Sequence, residues 1–280
     1  MLKATSAIIA GTGVYQLPGL NLESHTVGTP FGPATVHSSP GHDFVFLTRH
    51  GADHSVPPHR INYRANMSAL KILGVRDVLA TYAVGSLRRE LGPGGLTLLT
   101  DFLDFTRGRE QTYFEGGTTG LGHTDMSQPY CPQLNALLLA KAFKHNLEIA
   151  PQATYACTNG PRFESAAEVR MLAQLGGHVV GMTGLPEVSL AKELGLHFAA
   201  VALSINWAVG LEEKLTMMHH GLTDVRENLV RLFIEVLGAR SSAEREGCGC
   251  ESAVDFLYKP SVKTPGLPQP GPNPPTNRVP

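Results

Sequence analysis

The chain has 280 residues, 42% of them apolar, and 23 Lys+Arg against 24 Asp+Glu give a formal net charge of −1. That length and apolar content support one large domain or two small ones, and the near-neutral balance excludes a whole-molecule field that would gather nucleic acid or an anionic membrane. No apolar run reaches the roughly 18 residues of a membrane span, and the N-terminal segment meets Gly11-Thr12-Gly13 too early for a signal peptide, so the reading is a cytoplasmic protein with a small neutral or locally anionic partner.

In chain order, short β-rich runs alternate with helical patterns. SAIIAG and FVFLTRH read as strands, NYRANMSALKILG as a helix, DVLATYAVG and LTLLTDFLDF as strands, and CPQLNALLLAKAFKHN as a helix. The second half continues with strand ATYACT, helix SAAEVRMLAQLG, strand HVVGMTG, helix PEVSLAKELG, strand HFAAVALSIN and the long helix TDVRENLVRLFIEVLGAR. This alternation predicts a single α/β domain over residues 1–240, with a mixed, largely parallel central sheet flanked by helices. From Ser241 the pattern dissolves into a proline-rich stretch, and residues 241–280 are expected to form a disordered tail. Cys131, Cys157, Cys248 and Cys250 are scattered except for the final Cys-Gly-Cys, a spacing that suits neither a disulfide framework nor a zinc knuckle, and they read as reduced thiols.

In an open α/β sheet, ligands bind beyond the carboxyl ends of the strands. Those exits carry Gly11-Thr12-Gly13, Arg49-His50-Gly51, Ala83 to Ser86, Asn159-Gly160-Pro161-Arg162 with Glu164, Met182-Thr183, and Asn206. Singly, each is compatible with a structural turn or a surface pair. Together, a glycine turn, a fixed cation, hydroxyls and backbone N–H groups fit an oxyanion such as phosphate. No G-x-x-x-x-G-K-[ST] motif is present, so the phosphate reads as a free ion rather than part of a nucleoside triphosphate, and the incomplete glycine fingerprint disfavours a nicotinamide cofactor. His50 and His54 stand four apart, but the surrounding Gly and Pro prevent a helix and no third ligand is evident, so no metal is expected. Glu187, following Pro186, reads as an acid favoured by the dipole of a helix first turn.

The segments AGTG, TPFG, RHG-x-x-H, INYRAN, AVGSL, GREQTYFEG, TNGPRFES, GMTGLPEVSLAKELGL and LSIN, in order from Ala7 to Leu237, resemble the trimeric purine nucleoside phosphorylase superfamily, in the branch acting on 5'-methylthio nucleosides. The resemblance implies a homotrimer with its site at the subunit interface, using phosphate as co-substrate and no cofactor. It implies phosphate contacts at Thr12, Arg49, His50, Ala83 and Thr183, a ribose contact at Met182, and His123 reaching the 5' end of a neighbouring subunit's site. Glu164 and Asn206 would face the base, and with His50 they form the expected catalytic set.

A carboxylate only accepts hydrogen bonds, so Glu164 suits the N1–H of a 6-oxopurine and mismatches the N1 lone pair of adenine, a difference of about 1–3 kcal/mol when desolvated. Methylthioadenosine phosphorylases of the family carry a small hydroxyl residue at the position of Glu164 and aspartates at those of Asn206 and Ala208, and this chain departs at all three. The register of LTMMHHGL puts Met217 at the sugar's 5' end, where a thioether suits a methylthio group, while a slip onto His219 would favour a free hydroxyl. The combination points to phosphorolysis of S-methyl-5'-thioinosine. Methylthioadenosine or inosine phosphorolysis are the nearer alternatives and a catalytically silent purine- or phosphate-binding protein the more distant one. Tyr82 stands where the family often has a small polar residue, and is expected to reshape the sugar pocket.

Overall fold

The computed structural model describes residues 2–11, 13–14, 17, 19–51, 53–218, 221–240 and 245–259. Thr12, His219 and the stretch 260–280, where most of the proline-rich sequence falls, lie outside the described residues. Eleven strands and five α-helices are present among the described residues. In the first half they are β1 (Ser6–Ala10), β2 (Glu23–Thr29), β3 (Gly32–Ser38), β4 (Phe44–Thr48), α1 (Tyr63–Leu73), β5 (Asp77–Ser86), β6 (Leu96–Asp104) and β7 (Leu121–Thr124). There follow α2 (Pro132–Ala142), β8 (Ile149–Cys157), α3 (Ala166–Gln174), β9 (Val179–Gly181), α4 (Glu187–Glu193), β10 (His197–Trp207), α5 (Thr223–Ala239) and β11 (Val254–Tyr258).

Nine strands form one mixed sheet in the order β10-β6-β8-β9-β5-β1-β4-β3-β2, and an additional β10–β5 pairing closes the first five into a ring. The parallel pairs β1–β4, β1–β5, β5–β10, β6–β8 and β8–β9 form its centre, while β2 and β3 add an antiparallel hairpin at the edge. That hairpin was not visible in the sequence, because ESHTVGT has little apolar alternation and lies at an edge with one face exposed.

Residues along the central strands separate by parity. Ala7 and Ile9 join Val45, Leu47, Val78, Ala80 and Tyr82 in a core that includes α1 and α4, whereas Ile8, Phe46 and Leu79 enter a second core with α2 and α5. Helices cover both faces, which is why these strands read as continuous apolar runs. Truncating a fully buried residue such as Leu79 to Ala would cost about 2–5 kcal/mol.

β5 has a particular position in this arrangement. β1 pairs with it as far as Ala80, and β9 takes the same flank only at Gly85, so residues 81–84 have no strand on that side. This gap opens where the parallel strands end, which is where the fold can admit a ligand.

Two expectations need correction. Residues 245–259, assigned from sequence to a disordered tail, belong to the domain: Arg245 pairs with buried Asp77 at 2.6 Å, Cys248 and Cys250 are buried, and β11 pairs antiparallel with β7. The cysteines are also not scattered, since Cys131, Cys248 and Cys250 converge around His197. Sequence distance hid both features, because a short strand with one partner 130 residues away has no local signature.

Candidate active site

A cavity of about 370 Å³ opens at the strand ends. Arg49, His50, Ala83, Glu164, Met182, Thr183, Asn206 and Met217 all line it, so eight of the ten expected site residues meet in one place. Of the other two, Thr12 is outside the described residues, and His123 is exposed on β7, opposite Asp255 of β11, away from this chain's own cavity.

The end of β4 delivers Arg49 and His50 beside Gly11. A Cβ at Gly11 would lie 2.7 Å from Arg49 Nη1 and 3.7 Å from His50 Nε2, so glycine there leaves the space that both side chains face. Arg49 is not a free cation. Its Nε and Nη2 donate to the Glu187 carboxylate at 2.7 Å each, and its Nη1 donates to the Thr81 carbonyl at 3.2 Å. Burial opposes the guanidinium's charge, but Glu187 beside it raises the pKa above its usual value. Glu187 is therefore more than an acid favoured by a helix dipole: it is fully buried and fixes the charge and orientation of Arg49. Three of the five N–H donors of Arg49 are spent this way, which leaves two for a ligand.

Tyr82 joins the same network. Its hydroxyl donates to Glu187 Oε2 at 2.8 Å and its ring lies under the Arg49 guanidinium at 4.5 Å. Ala83, Val84 and Gly85 line the cavity, whereas Tyr82 is not among its lining residues and is buried in this network. Thr183, by contrast, is in the cavity wall, and its backbone N–H donates to the buried Tyr155 hydroxyl at 3.2 Å.

His50 is held by a 2.8 Å hydrogen bond between Nδ1 and the Val56 carbonyl. A carbonyl only accepts, so Nδ1 carries the proton and Nε2 presents a lone pair. Burial, together with the nearby Arg49 and His54, lowers its pKa to about 4, and the ring is neutral near pH 7.

Glu164 sits between strand β8 and helix α3. Helix α3 begins with a capping box in which Glu168 N donates to Ser165 Oγ and Ser165 N donates to the Glu168 carboxylate, so the residue after Glu164 is pinned. Arg162 is bound bidentately by Glu168 at 2.8 Å and does not enter the cavity, although the strand-exit pattern suggested that it could. Glu164 is buried and accepts a hydrogen bond from the Thr158 hydroxyl through Oε1. Asn206 lies at an irregularity in β10, where the register with β5 shifts between Ser204 and Asn206, and its Nδ2 donates to the Trp207 carbonyl at 2.8 Å. That bond orients the amide and leaves Oδ1 and one N–H for another partner.

Two supporting residues escaped sequence reasoning. Thr158 carried no signal of its own beyond its place at the strand exit. Arg109 donates to the carbonyls of Asn159 and Met182 at 2.9 Å each and also to that of Leu185, tying together the loops after β8 and β9. Its only sequence signal was its place in GREQTYFEG. Gly160, at φ 62°, completes this corner, because a Cβ there would lie 2.6 Å from the Met182 sulfur.

A closed ring of strands with helices on both faces, and one cavity that holds both an arginine–histidine group and a carboxylate–amide group, define an α/β enzyme that binds a small polar molecule. The sequence signature described as "Phosphorylase superfamily" matches residues 5–237. The protein named "Probable 6-oxopurine nucleoside phosphorylase" from Moorella thermoacetica is 46% identical over 236 residues, covering 80% of this chain and 90% of that protein. "Probable S-methyl-5'-thioinosine phosphorylase" from Methanothermobacter thermautotrophicus is 39% identical over 255 residues, with 88% of each chain covered. The methylthioadenosine phosphorylase of Schistosoma mansoni superposes with a TM-score of 0.78 at 31% identity, covering 87% of this chain and 94% of that one. The chain belongs to the phosphorylase superfamily, and it is a pentosyltransferase of the purine nucleoside phosphorylase type.

Proposed function

We propose that the protein cleaves 6-oxopurine nucleosides by phosphorolysis, with S-methyl-5'-thioinosine as the favoured substrate and hypoxanthine and 5-methylthioribose 1-phosphate as products. The observation that carries this reading is Glu164, a buried cavity-wall carboxylate whose Oε1 already accepts a bond from Thr158. Its second oxygen can only accept, and the N1–H of a 6-oxopurine is the donor it fits. The names of the relatives from Moorella and Methanothermobacter agree with a 6-oxopurine base.

Phosphate would lie beside Gly11, taking the two remaining N–H donors of Arg49 and the Thr183 hydroxyl, with Thr12 and Ala83 completing the expected contacts. Neutral His50 would accept from a phosphate P–OH through Nε2. As a phosphate oxygen bonds C1' and the C1'–N9 bond breaks, the ribosyl ring gains positive charge, which the phosphate dianion offsets. The bonding electrons leave with the purine. The purine takes up one proton at N7 from solvent while the attacking phosphate gives up its P–OH proton, and Asn206, accepting from N7–H through Oδ1, favours the protonated leaving base and so stabilises the transition state more than the ground state.

At the sugar, Met182 would pack on the ribose. Met217, Val56, Pro57 and Pro58 give the same cavity an apolar stretch of wall that suits a methylthio group. His123 is proposed to reach a neighbouring subunit's site in a homotrimer. Inosine is the second reading, favoured by His54 and Ser55 in the cavity wall, whose polar atoms could meet a 5'-hydroxyl.

The test is release of free base from methylthioinosine, inosine and methylthioadenosine, each with and without phosphate. Phosphate-dependent hypoxanthine release, fastest from methylthioinosine, is expected. Faster adenine release from methylthioadenosine would overturn the assignment of the base, and a preference for inosine that of the sugar.

A further inference from the structure

Away from the cavity, one buried cluster has a composition that the phosphorolysis does not use. Cys131 lies at the start of α2, His197 at the start of β10, and Cys248 and Cys250 on the segment after α5. One ligand-type atom from each lies within 4.8 Å of all the others, and all four residues are buried. His197 Nδ1 is 3.1 Å from Cys248 Sγ and 3.8 Å from Cys131 Sγ. A tetrahedral centre with metal–sulfur bonds of about 2.3 Å and metal–nitrogen bonds of about 2.0 Å has donor–donor edges of about 3.5–3.8 Å. We propose that Cys131, His197, Cys248 and Cys250 form a closed structural site for a tetrahedral divalent metal, zinc by the character of its donors.

The surroundings favour a metal–thiolate centre over free thiols. Arg240 and Arg245 share one carboxylate, Asp77, at 2.8 and 2.6 Å; the Arg240 side chain is buried and that of Arg245 is 9% exposed. Among the described residues one positive charge of this group is left without a counter-charge, and Arg240 Nη1 has no hydrogen-bond partner. A divalent ion with three thiolates and a neutral imidazole carries one net negative charge, which supplies the missing anion; neutral thiols or a disulfide would not. Beyond the histidine, Nε2 has no hydrogen-bond partner but lies 3.6 Å from a Glu251 carboxylate oxygen. A small closure would make the carboxylate–histidine–metal relay that commonly orients such a ligand. With three sulfurs and one nitrogen the coordination is complete, which is the arrangement of a structural rather than a catalytic zinc. The ion would clamp residues 245–259, and with them β11 and its partner β7, onto the starts of α2 and β10.

The test uses the full chain as purified under reducing conditions. Metal analysis after dialysis against metal-free buffer is expected to give about one zinc per chain. A C131S/C248S variant should lose the metal by at least about tenfold. Cobalt substitution of the unaltered protein should give the intense visible bands of tetrahedral thiolate ligation, so the site remains testable even where the variant does not fold. Stripping the metal with a chelator should lower the melting temperature, and zinc should restore it. A metal-free protein with four titratable thiols would overturn the proposal in favour of a simple thiol cluster. A metal-free protein with two titratable thiols would overturn it in favour of a disulfide.

Discussion

Glu187 holds Arg49 through two 2.7 Å hydrogen bonds, with both side chains buried, across 138 residues of sequence. The pair places a cation in the cavity wall, at the end proposed to take phosphate, without leaving it unpaired. Replacing Glu187 with Gln removes the anion and leaves a desolvated guanidinium, and the expected loss of stability is about 3–5 kcal/mol. KM for phosphate should rise as well, because the two remaining donors lose their fixed direction. Denaturant unfolding and a phosphate titration check this; a variant as stable as its parent would refute it.

Glu164→Gln tests recognition of the base. An amide can turn a donor toward the ring, so kcat/KM for the 6-oxopurine substrate should fall by about tenfold to a hundredfold and adenine release should gain relative to hypoxanthine. Competition between methylthioinosine and methylthioadenosine measures the shift. An unchanged ratio would mean that Glu164 does not contact N1.

Asn206→Ala should lower kcat by about a hundredfold while changing KM little, since N7 carries no proton in the bound nucleoside and the proposed bond from N7–H to Oδ1 forms only as the leaving purine is protonated. Steady-state kinetics give the split, and a melting curve controls for the lost bond to the Trp207 carbonyl. A rise in KM with kcat preserved would assign Asn206 to substrate binding alone.

Glu193 gives a pH-dependent prediction. Burial raises its carboxyl from 4.5 to about 7, against hydrogen bonds from the Tyr113 N–H and Thr112 that lower it. Between those values the folded state holds a proton that the unfolded chain has released, so the contribution to stability is full below pH 4.5 and is lost as pH rises through 7. Glu193→Gln cannot ionise and should therefore stabilise the protein more at pH 8 than at pH 5. His50 acts in the opposite sense, its lowered pKa costing stability as pH falls from 6.5 through 4, but it is present in both proteins and cancels. Melting temperatures of the two proteins at both pH values decide; an equal difference at each would exclude an elevated carboxyl.

Much of the site was legible because it sits at strand exits, where a short motif and its position in the fold coincide. RHG, AVG, TNGPRFES, GMTG and LSIN each fix a residue within a few positions of a strand end, and the parallel topology brings those ends together. What could not be read was every relationship between exits. Nothing in LPEVSL marks Glu187 as the partner of Arg49, and nothing in DVLATYAVG says that Ala83 lines the cavity while Tyr82 does not.

Local sequence determined the α/β class, the order of most elements and the chemical types available to bind phosphate and purine, because hydrophobic period and turn residues act over a few positions. Tertiary structure alone decided that Arg49 is neutralised by Glu187, that Thr158 and Arg109 brace the site, and that residues 245–259 return to join Cys131 and His197. Those are pairings between residues that only the closed sheet makes neighbours. Their energies come from desolvation and geometry, and neither exists until the chain has folded.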